Sequence, residues 1–145
     1  MNQTPTSIVT CPGCGTKNRV RAAAPGVPHC ASCKKPLPWM VEASEQSFAA
    51  VVEQSPLPAL VDFWAPWCGP CRMVEPVIER LSRDLAGTLK VVRVNTDEAP
   101  NLGQRFRVLG IPTLILFEKG QVRDRITGAL DAASMRRWIE PHVAA

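Results

Sequence analysis

The stretch Leu60-Val61-Asp62-Phe63-Trp64-Ala65-Pro66-Trp67-Cys68-Gly69-Pro70-Cys71 carries an apolar run into a C-x-x-C pair. Leu60–Trp64 is apolar on both faces, the pattern of a strand inside a sheet. After Cys71, the residues Val74, Val77, Ile78, Leu81 and Leu85 recur at helical spacing. They predict a helix from about Cys71 to Leu85, which Pro76 should kink. Two thiols thus stand where a buried strand gives way to a helix. A helix N-terminus presents unpaired N–H groups and the positive end of the helix dipole, and both favour thiolate over thiol. Thiolate is the nucleophile of disulfide exchange, so the position predicts a reactive pair. A lone C-x-x-C would leave two positions of a tetrahedral metal empty, and no further Cys or His lies near it in sequence.

The remainder of the chain alternates strand and helix signals. Trp39–Glu42 reads as a short strand, and Ser44 or Ser47 as the cap of a helix to about Gln54 with Phe48, Val51 and Val52 inward. A strand at Leu89–Asn95 and a helix near Asn101–Phe106 follow. Thr113–Glu118 and Val122–Thr127 read as an antiparallel pair turning at Lys119-Gly120. A last helix, Asp131–His142, is capped by Asp131, with Met135, Trp138 and Ile139 inward. This order predicts an α/β fold, a central mixed sheet with helices on both faces. Asp62 interrupts the apolar strand. A carboxylate there costs several kcal/mol unless it is solvated, paired or protonated. Either the position is at an edge, in water, or the acid is buried with a raised pKa.

Four more cysteines form a different pattern. Cys11, Cys14, Cys30 and Cys33 make C-x2-C-x15-C-x2-C, a zinc-site spacing. Zinc takes four ligands in a tetrahedron, and a C-x-x-C turn brings two sulfurs to one metal. Gly13 and Gly15 give the first knuckle its backbone freedom, and Lys34 and Lys35 can moderate the charge of a zinc tetrathiolate. The preferred reading is a structural zinc ribbon; two disulfides, or a redox- or metal-sensing role, are the alternatives. His29 reads as a bystander beside a complete ligand set. About thirty residues bury little core, so this segment should need its metal to fold. The sequence divides as a flexible tail at 1–8, a zinc-binding module at 9–36 and the α/β domain at 37–145, with Pro36-Leu37-Pro38 a stiff link between the last two.

Composition narrows the function classes. The chain has 145 residues, 46% of them hydrophobic, which is globular rather than disordered. Apolar stretches such as Leu114–Phe117 fall far short of the roughly 18 residues of a membrane span. Residues 1–7 lack the basic and apolar regions of a signal peptide, so a cytoplasmic location is expected. Residues 1–40 hold five basic and no acidic residues; the rest holds 12 basic and 13 acidic, so the net +4 belongs to the N-terminal segment. That charge fits an acidic partner or nucleic acid, or simply offsets a metal–thiolate centre. Nucleic acid is disfavoured, because the only aromatic in this segment is Trp39, which gives bases no stacking platform.

Taken together, the residues resemble the thioredoxin family. Val61–Cys71 looks like its active-site segment, Gly110-Ile111-Pro112-Thr113 like its cis-proline loop, and Gly128-Ala129-Leu130 like its last substrate-facing turn. With the N-terminal cysteines, the whole chain is similar to the zinc-bearing bacterial thioredoxins of the thioredoxin 2 type. The resemblance implies a protein-disulfide reductase. Cys68 is then the attacking thiolate, partly exposed, and Cys71 the more buried resolving thiol, with Gly69 and Pro70 setting their approach. Asp62 becomes a buried proton acceptor for Cys71. Trp67, Ile111, cis-Pro112, Gly128 and Ala129 form the substrate rim, and Trp64 is mainly packing. Arg93 stands where many thioredoxins carry a lysine; arginine holds its proton, which removes any proton-sharing role. The implied cofactor is structural Zn2+ alone, with reducing equivalents from NADPH through a flavoprotein reductase. The implied partners are that reductase and disulfide-containing proteins, with a monomeric state and no membrane. An adaptor built on the basic ribbon, or an assembly subunit using the fold only for binding, are the competing classes.

Overall fold

A computed structural model describes residues 6–143. Its main sheet has five strands: β3 (Met40–Glu42), β4 (Ala59–Trp64), β5 (Lys90–Asn95), β6 (Thr113–Glu118) and β7 (Gln121–Thr127), in spatial order β3-β5-β4-β6-β7. β4 is central, parallel to β5 and antiparallel to β6, as its two-sided apolar sequence predicts. Parallel pairing needs a crossover, and α1 (Gly69–Asp84) supplies it between β4 and β5. β6 and β7 form a hairpin through Lys119 and Gly120, both at positive φ.

Strand alternation sorts the core into two layers. Leu60, Val91, Leu114 and Leu116 pack against Val74, Ile78 and Leu81 of α1 and Met135 and Ile139 of α3 (Ala132–Val143). Asp131 caps α3 by accepting from the Ser134 N–H at 2.7 Å. On the opposite face, Val61, Phe63, Val92, Val94, Ile115 and Phe117 meet Phe48, Val51, Val52 and Leu102 of α2 (Pro100–Arg105). The helix expected up to Gln54 is a single π-helical turn, Ala49–Glu53. Ser44 and Ser47 cap its approach reciprocally, each backbone N–H donating to the other's hydroxyl at 2.9 and 3.2 Å. Helix α1 runs through Pro76 without interruption.

The N-terminal segment departs from the expected division. Thr6–Thr10 (β1) pairs antiparallel with Lys17–Arg21 (β2), so Thr6–Ile8 belong to a hairpin and not to a tail. Residues 1–5 lie outside the described residues. Nor is the module a bead on a stiff link. Val20, Ala22, Leu37 and Trp39 are buried in the same core as Val92 and Phe117. Leu37, between the two prolines, is 1% exposed, so it anchors the module instead of spacing it. The buried Lys90 ammonium closes the junction: it donates to the carbonyls of Ala22 and Val51 at 2.5 and 2.6 Å and sits 4.1 Å over the Trp39 ring. The segment's few apolar residues therefore join the larger domain's core.

Candidate functional site

The strand-to-helix junction holds a disulfide. Cys68 is the N-cap of α1 and is bonded to Cys71, one turn in, with Cα atoms 5.3 Å apart. Pro70 fits the first turn, where no helical N–H is required. Cys68 Sγ accepts from the Cys71 N–H at 3.2 Å, one of the donors that a helix start leaves free. Exposure differs from expectation: Cys68 is 4% exposed and Cys71 1%, so both sulfurs are buried in the disulfide state. The reason is the overhanging loop, whose Ile111 packs against the cluster of Ala65, Cys68 and Cys71 and whose carbonyl lies 3.7 Å from Cys68 Sγ.

That loop is tied down at both ends. The Ile111–Pro112 bond is cis, and the Pro112 carbonyl accepts from the Gly128 N–H at 2.8 Å. Gly128 has φ +106, a conformation that favours glycine. Thr113 Oγ1 donates to the Gly110 carbonyl and lies 3.3 Å from Thr127 Oγ1. Upstream, Arg125 donates to the carbonyls of Phe106 and Arg107 at 2.5 and 3.1 Å. Gly128 is thereby tied to the Ile111–Pro112 loop, of which Ile111 reaches the disulfide, while Ala129 lies exposed just beyond it. Trp67 is 69% exposed, with its indole N–H on the Asp97 carboxylate at 3.1 Å. Beside it runs a groove of about 730 Å³ lined by Trp67, Arg107, Val108, Leu109 and Ile111, among other residues.

Asp62 is not at an edge. It lies on central β4, is fully buried, and by strand alternation shares the face covered by α1. Burial pushes its pKa up from 3.8 to about 6, against the pull of Arg93, with a further push from Glu75. Arg93, its cross-strand neighbour, brings Nε to 3.6 Å from Oδ2. Trp64 is packing with an added role, since the Arg93 guanidinium lies 4.1 Å over its ring.

The four N-terminal cysteines converge some way along the chain from this disulfide. Their sulfurs all lie within 4.8 Å of one another, with Cys11–Cys33 at 3.7 Å and Cys14–Cys30 at 3.5 Å. None is in a disulfide. A tetrahedron with metal–sulfur bonds of about 2.3 Å has edges of about 3.8 Å, so the spacing fits one zinc ion. The knuckles are near copies. The N–H groups of Gly15 and Lys34 donate to the carbonyls of Cys11 and Cys30, both at 2.9 Å. Those of Cys11 and Cys30 donate to the carbonyls of Thr16 and Lys35, both at 2.8 Å. Gly15 and Lys34 both have positive φ, so the freedom expected of glycine is used at Gly15 and matched by a lysine in the second knuckle. His29 stays outside, its Nδ1 2.8 Å from the Val27 carbonyl.

Sequence reading missed Glu75, Asp97, Arg125 and Lys90. Each acts through a partner 18 or more residues away, and no local pattern marks such pairs.

Comparison with known proteins agrees with this geometry. The thioredoxin family model matches residues 39–141. A thioredoxin of Synechocystis sp. is 45% identical over 102 residues, covering 70% of this chain and 95% of its own. Thioredoxin 1 of Nostoc sp. is 42% identical with the same coverage. Chloroplastic thioredoxin M4 of Arabidopsis thaliana is 42% identical over 97 residues; the match spans 67% of this chain and half of the plant protein. The four N-terminal cysteines precede the family match. The family match spans the disulfide at the start of α1, the cis-proline loop upon it and the buried acid of the central strand, and the chain belongs to the thioredoxin family of protein-disulfide reductases.

Proposed function

We propose that this is a cytoplasmic thioredoxin of the zinc-bearing, thioredoxin 2 type, reducing disulfides in cytoplasmic proteins through Cys68 and Cys71. The observation that carries the reading is the Cys68–Cys71 disulfide at the helix start beneath the Ile111 carbonyl. In the dithiol form, the Cys68 thiolate attacks a substrate disulfide; one substrate sulfur leaves as thiolate and a mixed disulfide forms. Asp62, a carboxylate at pH 7 with its pKa near 6, takes the Cys71 proton through water. The Cys71 thiolate then attacks Cys68 Sγ, and the second substrate sulfur leaves. Two electrons pass to the substrate, and the disulfide of the chain returns to dithiol by a flavoprotein reductase drawing on NADPH. Gly69 and Pro70 hold the turn between the sulfurs; Trp67, Ile111, Pro112, Gly128 and Ala129 dock the substrate segment.

Cys11, Cys14, Cys30 and Cys33 would hold one Zn2+ in a closed, structural site; their spacing supports this. The chain works as a monomer without nucleic acid, and no described helix is long and apolar enough to cross a membrane. Insulin reduction driven by dithiothreitol tests the reductase. Cys68→Ser should abolish it, and full activity in that variant would end the mechanism. Metal analysis should give about one zinc per chain, lost on Cys11→Ser or Cys30→Ser. A value near zero in reduced protein would sink the zinc assignment.

A further inference from the structure

Arginine beside a buried carboxylate ordinarily closes a two-pronged, charge-assisted pair. Here the register makes that easy, since Asp62 and Arg93 are direct partners across β4 and β5. Yet the pair is not closed. The approach of Arg93 Nε to Asp62 Oδ2, at 3.6 Å, is an ion pair without a hydrogen bond. Both Asp62 oxygens and Arg93 Nε have no hydrogen-bond partner among the described residues. The guanidinium is engaged elsewhere: its Nη1 reaches Glu75 Oε1 at 3.5 Å, and its Cζ lies 4.1 Å over the Trp64 ring. Glu75 projects from α1, one turn beyond Cys71, and its side chain is 40% exposed. Arg93 and Glu75 also line a cleft of about 370 Å³ with Glu42 of β3, Glu79 of α1 and Ser7 of the N-terminal hairpin.

We propose that Glu75 is a positioning residue: with Trp64, it holds the Arg93 guanidinium off Asp62, so the buried acid remains able to gain and lose a proton. The proposal rests on the reading of Asp62 as proton acceptor for Cys71. Were the guanidinium to close on Asp62, the carboxylate would be locked in its charged form and would be a poor base. The groups facing Asp62 are Arg93 from β5 and Glu75 from α1; its β6 partner, Leu114, is apolar. Removing Glu75 frees the guanidinium and also deletes a negative charge, and both changes lower the affinity of Asp62 for its proton.

The test is a carbon-13 NMR titration of the Asp62 carboxyl in the oxidised, full-length protein, where no free active-site thiol titrates alongside it. Glu75→Ala should move the midpoint down by about one pH unit or more, the scale of a carboxylate gaining an arginine. Glu75→Asp should restore much of the original value, and Arg93→Met should move it up. An unmoved or raised midpoint in Glu75→Ala overturns the proposal, as does a lowered one in Arg93→Met. Resolution of a mixed disulfide at pH 7, followed in Asp62→Asn, judges the underlying reading separately. An unchanged rate there would remove the proton-acceptor role, while the Glu75 titration would still decide whether Glu75 positions Arg93.

Discussion

Asp62→Asn should make this protein more stable at neutral pH. The side chain is fully buried, and its pKa rises from 3.8 in the unfolded chain to about 6 when folded. Between these values the folded state binds a proton that the unfolded state has released, so stability falls as pH rises through the window. At 1.36 kcal/mol per pKa unit, the ionised carboxylate costs about 3 kcal/mol above pH 6. Asparagine keeps the shape and removes the charge. Its advantage should therefore be ~2–3 kcal/mol at pH 7 and should shrink to roughly 0.5 kcal/mol near pH 4, where the folded acid is protonated and the unfolded one about half so. Urea unfolding of the oxidised protein and of Asp62→Asn at the two pH values measures this. Taking the difference between variants cancels the other carboxylates, such as Asp124 and Asp131, which titrate alike in both. Equal stability at pH 7, or a gain that persists unchanged at pH 4, would refute the argument. A stabilised variant that also resolves mixed disulfides more slowly would place this destabilising acid in the chemistry.

Further outcomes follow from the same contacts. Burial lowers the Lys90 pKa from 10.5 to about 8, so the folded state sheds its proton before the unfolded chain does. Stability should then rise with pH between about 8 and 10.5, by up to ~3 kcal/mol, and Lys90→Met should lose that rise; parallel unfolding curves at pH 7.5 and 9.5 would contradict it. Arg125→Ala removes two charged hydrogen bonds from the loop leading to Ile111, each worth about 1.5–3 kcal/mol. Faster amide exchange in residues 106–111 and a raised KM for insulin should result, with kcat less affected; unchanged exchange would count against that tether.

Much of the redox site was legible in sequence because its signals are local. Leu60–Trp64 announces a buried strand, Cys68–Cys71 a helix start, and Lys119-Gly120 a hairpin, each within a few residues. The four-cysteine spacing likewise foretold one cluster. What stayed hidden depends on residues distant in sequence. Ile8 and Thr6 read as tail because their partners, Arg19 and Arg21, lie across a knuckle. Leu37 read as linker because its burial depends on the core of the other domain. Lys90 opens β5, and nothing local says that its ammonium meets the Ala22 and Val51 carbonyls. Asp62 was visible as an anomaly, but the arrangement of Arg93, Glu75 and Trp64 around it was not.

The proposed division of labour gives disulfide exchange to one C-x-x-C pair, Cys68–Cys71, and metal binding to the other two. The most direct measurement is mass spectrometry of Cys71→Ser after incubation with insulin. A single adduct through Cys68, released by dithiothreitol, with Cys11, Cys14, Cys30 and Cys33 unmodified, is the predicted result. No adduct, or one carried by any of the four N-terminal cysteines, would contradict the account.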